Sequence, residues 1–139
     1  CHFFVTLGVG GQDFRCEELM DNVSVVSYLP YKEYIPQMDY VIHHGGAGIF
    51  YQCIIYGKPA LILPHDYDQF DYAVRGVEAG VALTANKEDT RAIGLAFEKL
   101  IAKEDWSELE ILRQAAQSYH PIEILESEIH RLLADKEKE

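Results

Sequence analysis

The sequence predicts an α/β domain in which a parallel sheet is flanked by helices and followed by a helical C-terminal segment. Three observations carry that expectation. Short β-rich apolar runs, HFFVTLG, VSVVSYL, DYVIHH, ALILP and VAL, are each bounded by Gly, Pro, Asp or Asn, as buried strands are. Helical stretches lie between the later runs, at a spacing that suits right-handed βαβ units. Beyond GVAL the pattern becomes wholly helical.

Each element has a local reason. The first long helix is expected from Gly46 to Tyr56, stopped at Gly57-Lys58-Pro59, and a second from about Asp68 to Ala79, stopped at Gly80. Both place glycine where the chain must leave a helix in a left-handed turn. A third starts at Asn86, with Asp89 three residues on in the manner of a capping box, and carries Ile93, Phe97, Leu100 and Ile101 on one face. Trp106, Leu109, Leu112 and Ala116 form the next stripe. Pro121 suits the first turn of a last helix whose apolar face is Ile122, Leu125, Ile129, Leu132 and Leu133, and DKEKE reads as a solvated end. With no internal repeat, linker or low-complexity segment, residues 1–139 read as one domain.

Composition narrows the function classes. Of 139 residues, 48% are apolar and 25% charged, which places the chain among globular domains with a usable core. A net charge of -11 disfavours nucleic acid or an acidic membrane as a partner, yet leaves room for one small polyanion held by local dipoles. Cys1, Cys16 and Cys53 are odd in number and fit no zinc spacing, so neither a disulfide framework nor a structural metal is expected. No apolar run approaches the length of a membrane span, and no signal-peptide pattern opens the chain, so a cytoplasmic location is expected. CHFFVTLG starts within a strand pattern and without methionine, which suggests a piece of something longer.

The stretch VIHHGGAGIFYQ, Val41 to Gln52, holds the chemistry. Neighbouring residues on a strand face opposite ways, so His43 and His44 cannot serve one ligand from an extended backbone; one of them packs. His44 stands nearer the strand's C-terminal end, where open α/β sheets bind ligands. The glycines Gly45, Gly46 and Gly48 then expose the N-terminus of a helix, whose unpaired N–H groups and partial positive charge suit a phosphate or diphosphate. Taken alone the glycine run is a weak signal, since ordinary glycine-rich strand-to-helix turns are common. A second stretch, PHDYDQFDYAV, brings Asp68 and Gln69 to the same sheet edge, where a carboxylate beside an amide suits sugar hydroxyls. By itself that stretch also reads as an N-capping Asp68 with an exposed Gln69.

Together, HHGGAGIFYQCIIYGKPALILPHDYDQ resembles, without a gap, the donor-binding half of the GT-B glycosyltransferases that use nucleotide sugars, the family of the UDP-glucuronosyl, sterol and macrolide enzymes. Its signature runs roughly H-G-G-x-x-S/T-x-x-E, then G-V/K-P and P-x-x-x-D-Q. The similarity extends upstream through DNVSVVSYLP and downstream through VEAGVAL to the closing helices. The resemblance implies a Rossmann-like, C-terminal GT-B domain that binds a nucleoside-diphosphate sugar, with UDP favoured, and helps transfer a hexosyl group without a metal or other cofactor. It further implies that His44, with Gly45, Gly46, Gly48 and Ile49, contacts the diphosphate. Gln52 would meet the ribose, Asp68 and Gln69 the sugar, and Tyr28 with Leu29 the base.

Three departures stand out. Ile49 replaces the usual Ser/Thr and removes a hydroxyl from the phosphate site, Gln52 replaces a ribose-binding Glu, and Tyr31 replaces the glutamine of W-x-P-Q. Tyr28 stands in place of that motif's tryptophan, and both a base-stacking and an ordinary strand-end role fit it. The general base and the acceptor pocket are expected on an N-terminal domain, in the same chain or in a partner subunit. The isolated chain is accordingly expected to be inactive in transfer, and its uncovered strand edge favours self-association. A two-chain glycosyltransferase and a non-catalytic nucleotide- or sugar-binding module are the alternatives.

Overall fold

The computed structural model describes residues 1–7 and 20–136; Cys16 and the end of the first predicted strand lie outside them. The chain divides into two compact units, Cys1–Met38 and Asp39–Glu139. In the first, β1 (Phe3–Thr6) pairs in parallel with β2 (Val23–Val26), Phe3 opposite Val23. A short helix, α1 (Tyr31–Tyr34), and a 3-10 turn at Ile35–Gln37 follow, unforeseen in the sequence pattern. Pro30 starts α1, its carbonyl accepting the N–H groups of Glu33 and Tyr34.

The second unit is built on β3 (Val41–His43), β4 (Ala60–Ile62) and β5 (Ala82–Thr84), parallel and ordered β3-β4-β5. The crossovers are α2 (Ala47–Tyr56) and α3 (Asp68–Glu78), and β5 leads into α4 (Thr90–Ala102), α5 (Ser107–Ser118) and α6 (Pro121–Lys136). Gly57, at φ 63, closes α2, and the N–H of Lys58 returns to the Cys53 carbonyl. The third long helix begins four residues later than the sequence suggested. Asp89 itself is the cap, accepting the Ala92 N–H at 2.9 Å, while Asn86 spends its side chain on the Glu88 N–H in a local turn.

Strand alternation splits the core into two faces. Ala60, Ile62 and Ala82 meet Phe50 and Cys53 of α2, Ala73 of α3 and Leu109 of α5 on one side; Leu61 meets Ala96 and Leu100 of α4 on the other. Leu61, Ile62 and Leu100 are fully buried, each contributing about 1.5–3 kcal/mol by leaving water. Trp106 joins both clusters and anchors its indole N–H on the Lys103 carbonyl. Burial pushes the Cys53 thiol up to about 12, which removes it as a nucleophile. The apolar residues of α6, Ile122, Leu125, Ile129, Leu132 and Leu133, stay exposed. Among the described residues no helix is long and apolar enough to cross a membrane.

His43 closes β3 on the same face as Val41, which packs against the α2 side of the core. The imidazole is 6% exposed, and its Nδ1 accepts the Gly45 N–H at 2.9 Å. Burial, with a smaller contribution from neighbouring His44, lowers its pKa to about 4 from an ordinary 6.5. The unfolded chain therefore binds this proton first as pH falls, so stability declines from pH 6.5 to 4 and this group's share reaches about 3 kcal/mol at the lower end. Urea unfolding across that window should show the decline in the wild type and a flatter curve in His43→Asn; parallel curves would refute the assignment.

Candidate functional site

The site follows from where the strands stop. The Leu63 N–H donates to the His43 carbonyl at 2.8 Å, one residue past the β3–β4 register, so the two strands end together and release their loops at one sheet edge. His44, Gly45 and Gly46 then lead into α2, and Leu63 to Tyr67 lead into α3. That edge carries both stretches singled out in the sequence, as open parallel sheets arrange their ligand loops.

The glycines serve different ends. Gly45 is buried at φ +96, and a Cβ there would stand 3.0 Å from Ile62 Cγ2, 3.1 Å from the Gln69 carbonyl oxygen and 3.3 Å from Gln69 Cβ. The turn after β3 thus lies directly on the first turn of α3. A Cβ on Gly46 would be 2.7 Å from His44 Nε2, so the exposed imidazole lies over the entrance to α2. At Gly48 a side chain would meet nothing within 4 Å. Gly46 caps α2 without a side chain, which leaves the first-turn N–H groups facing outward at the positive end of the helix beside His44.

The other predicted residues of α2 are placed differently. Ile49 packs its side chain against the core, which accounts for an apolar residue there and leaves only its N–H for an anion. Gln52 is half-buried, and its Oε1 is buried with no partner among the described residues. Tyr28, 75% exposed, and half-buried Leu29 follow β2 in the first unit.

On the second loop, Tyr67 rather than Asp68 occupies the cap position of α3, and Asp68 is an exposed first-turn residue. Gln69 Oε1 accepts two backbone N–H groups, from His65 at 2.9 Å and Asp66 at 3.1 Å, and Asp66 Oδ1 accepts from Tyr67 at 3.0 Å. Tyr67 is held at φ 29, a strained angle for a bulky residue. With its oxygen committed to the loop, Gln69 offers a ligand only its amide N–H groups. Lys87, after β5, meets His65 Nδ1 and ties the loops of β4 and β5 together. The Gln69 bonds, the Tyr67 strain and the Lys87 contact leave no mark in the sequence pattern, because each depends on the loop's path rather than on spacing.

Among the described residues no three His, Cys, Asp or Glu side chains gather as a metal site. A groove of about 360 Å³ between α3, β5 and α4, lined by Val77, Leu83, Ala92, Leu95 and Lys99, contains none of the candidate site residues.

Comparison with known proteins places the fold in a family. Residues 6–129 match the model of the family described as erythromycin biosynthesis protein CIII-like, C-terminal domain. The chain is 45% identical over 47 residues to aclacinomycin-T 2-deoxy-L-fucose transferase of Streptomyces galilaeus, covering 34% of this chain and 11% of that protein. It is 38% identical over 65 residues to 3-alpha-mycarosylerythronolide B desosaminyl transferase of Saccharopolyspora erythraea, covering 45% of this chain and 15% of that one. The structure of glycosyltransferase VinC in complex with DTDP superposes with a TM-score of 0.66 at 30% identity, covering 73% of this chain and 27% of that one. The chain thus spans a minor part of the length of each relative. With a family match over nearly its whole length and a parallel α/β fold shared with a solved glycosyltransferase, the chain belongs to the erythromycin biosynthesis protein CIII-like C-terminal domain family, the C-terminal GT-B domain of nucleotide-sugar-dependent glycosyltransferases.

Proposed function

We propose that this chain binds the nucleoside diphosphate of a sugar donor and stabilises it as the leaving group when a hexosyl unit passes to an acceptor. One observation carries the reading: the His44 imidazole lies at the uncapped start of α2, and the glycine beside it packs on Gln69, so groups suited to phosphate and to sugar share one sheet edge. In the transfer, the bond between the anomeric carbon and the diphosphate oxygen breaks as the acceptor oxygen bonds to that carbon. Negative charge builds up on the diphosphate, where His44 and the N–H groups of Gly46 to Ile49 meet it with fixed dipoles. Asp68 accepts from sugar hydroxyls, and Gln69 donates to them. Tyr28 and Leu29 are assigned to the base and Gln52 to the ribose by the family pattern. The general base and the acceptor pocket belong to protein beyond these residues. The resemblance favours UDP; because the VinC structure is a complex with DTDP, thymidine diphosphate belongs beside it in any test.

Removing the imidazole tests the leaving-group role. His44→Ala in the complete gene product should lower kcat/KM by roughly 2–4 kcal/mol of transition-state stabilisation, with the melting temperature unchanged because the side chain is exposed. Unaltered turnover would sink the assignment, and activity abolished by EDTA would argue for a metal instead.

The two jobs of Gln69 separate by substitution. Gln69→Glu keeps an oxygen for the His65 and Asp66 N–H groups but removes the donor, so stability should hold while kcat/KM falls by about 1–2 kcal/mol. Gln69→Leu should lose both. If thermal unfolding and kinetics cannot tell the two variants apart, the donor-only reading is wrong.

A further inference from the structure

His43 is the residue this site has so far left to the core, and its bonding does not suit a purely packing role. Its Nδ1 accepts the Gly45 N–H, so the ring proton lies on Nε2, which is buried without a protein partner among the described residues. An unpaired buried donor is unfavourable, and an apolar residue at this position would avoid it. It would also leave the N–H of buried Gly45 unpaired, so what the histidine adds at this position is its bond to that N–H. Gly45 sits at φ +96 between Ile62 and Gln69, and the next residue carries the surface on which His44 rests. Rotation of the His44–Gly45 peptide would move the His44 ring and the entrance to α2 together.

We propose that His43 is a positioning residue whose Nδ1 captures the Gly45 N–H and thereby fixes the turn that holds the donor's diphosphate. The proposal rests on the diphosphate reading given above and adds a residue to it. His43 touches no ligand. Its partner across the bond is backbone, so any side chain with an acceptor at the same reach can replace it. Asparagine qualifies, since its Oδ1 stands as many bonds from Cα as Nδ1 does. Leucine fills the space without an acceptor.

The test compares affinities for UDP against uridine, and thymidine diphosphate against thymidine, in wild type, His43→Asn and His43→Leu of the complete gene product by calorimetry. The wild type should prefer a diphosphate over its nucleoside, His43→Asn should keep that preference, and His43→Leu should lose about tenfold of it while nucleoside affinity holds. General destabilisation would weaken both ligands and leave the ratio unchanged. Full preference in a folded His43→Leu would overturn the positioning role alone. No preference for either diphosphate in the wild type would overturn the donor-binding reading and this proposal with it. Should His43→Leu fail to fold, nitrogen–nitrogen coupling across the hydrogen bond, between the Gly45 amide and His43 Nδ1 in labelled wild type, decides: present, it supports the role; absent, it overturns it.

Discussion

The approach of Gly45 to Gln69 is the constraint on which the site depends. Two loops that leave neighbouring parallel strands must touch at backbone distance, and only a residue without Cβ permits it at that φ. Once the contact is made, the rest follows by connection. His44 is carried to the mouth of α2, the helix begins at Ala47 without a side-chain cap, and Gln69, on the first turn of α3, lies against Gly45. The second loop is equally fixed: Gln69 holds the backbone of His65 and Asp66, Asp66 holds Tyr67, and Lys87 meets His65 from the next loop. Such cross-bracing lets Tyr67 stay at a strained φ, since several interactions oppose its relaxation.

A chain with a net charge of -11 is a poor general attractor for a diphosphate, so the proposed binding relies on short-range, oriented groups. In that proposal the uncapped α2 terminus provides them without a formal positive charge, with His44 beside it. Ile49 and Gln52 shape the balance further. The Ile49 side chain serves the core, while Gln52 keeps a buried oxygen with no partner among the described residues. A diphosphate site built as proposed would discriminate by geometry more than by charge.

Much of this was legible in the sequence because it rests on local rules. Strand runs bounded by breakers, Gly57 as a helix stop and Pro121 as a helix start all follow from backbone preferences that neighbours do not override. Even the burial of one histidine of the His43–His44 pair and the exposure of the other follow from strand alternation. What could not be read was the tertiary use of polar side chains. Asn86 and Asp89 both suit a cap, and only the loop's path selects Asp89. Gln69 looked like a residue with a donor and an acceptor free for a sugar, but its acceptor faces its own loop, a choice that spacing does not encode.

The central claim is that the HHGGAG turn and the DYDQ loop form one binding site. It is tested most directly by amide chemical shifts in the chain titrated first with UDP or thymidine diphosphate and then with the corresponding sugar nucleotides. Binding should be weak, with the diphosphates moving the backbone amides of Gly46 to Ile49 and the sugar nucleotides moving these and also the side-chain amide of Gln69. Shifts confined to one loop with every ligand, or no shifts at millimolar nucleotide, would contradict it.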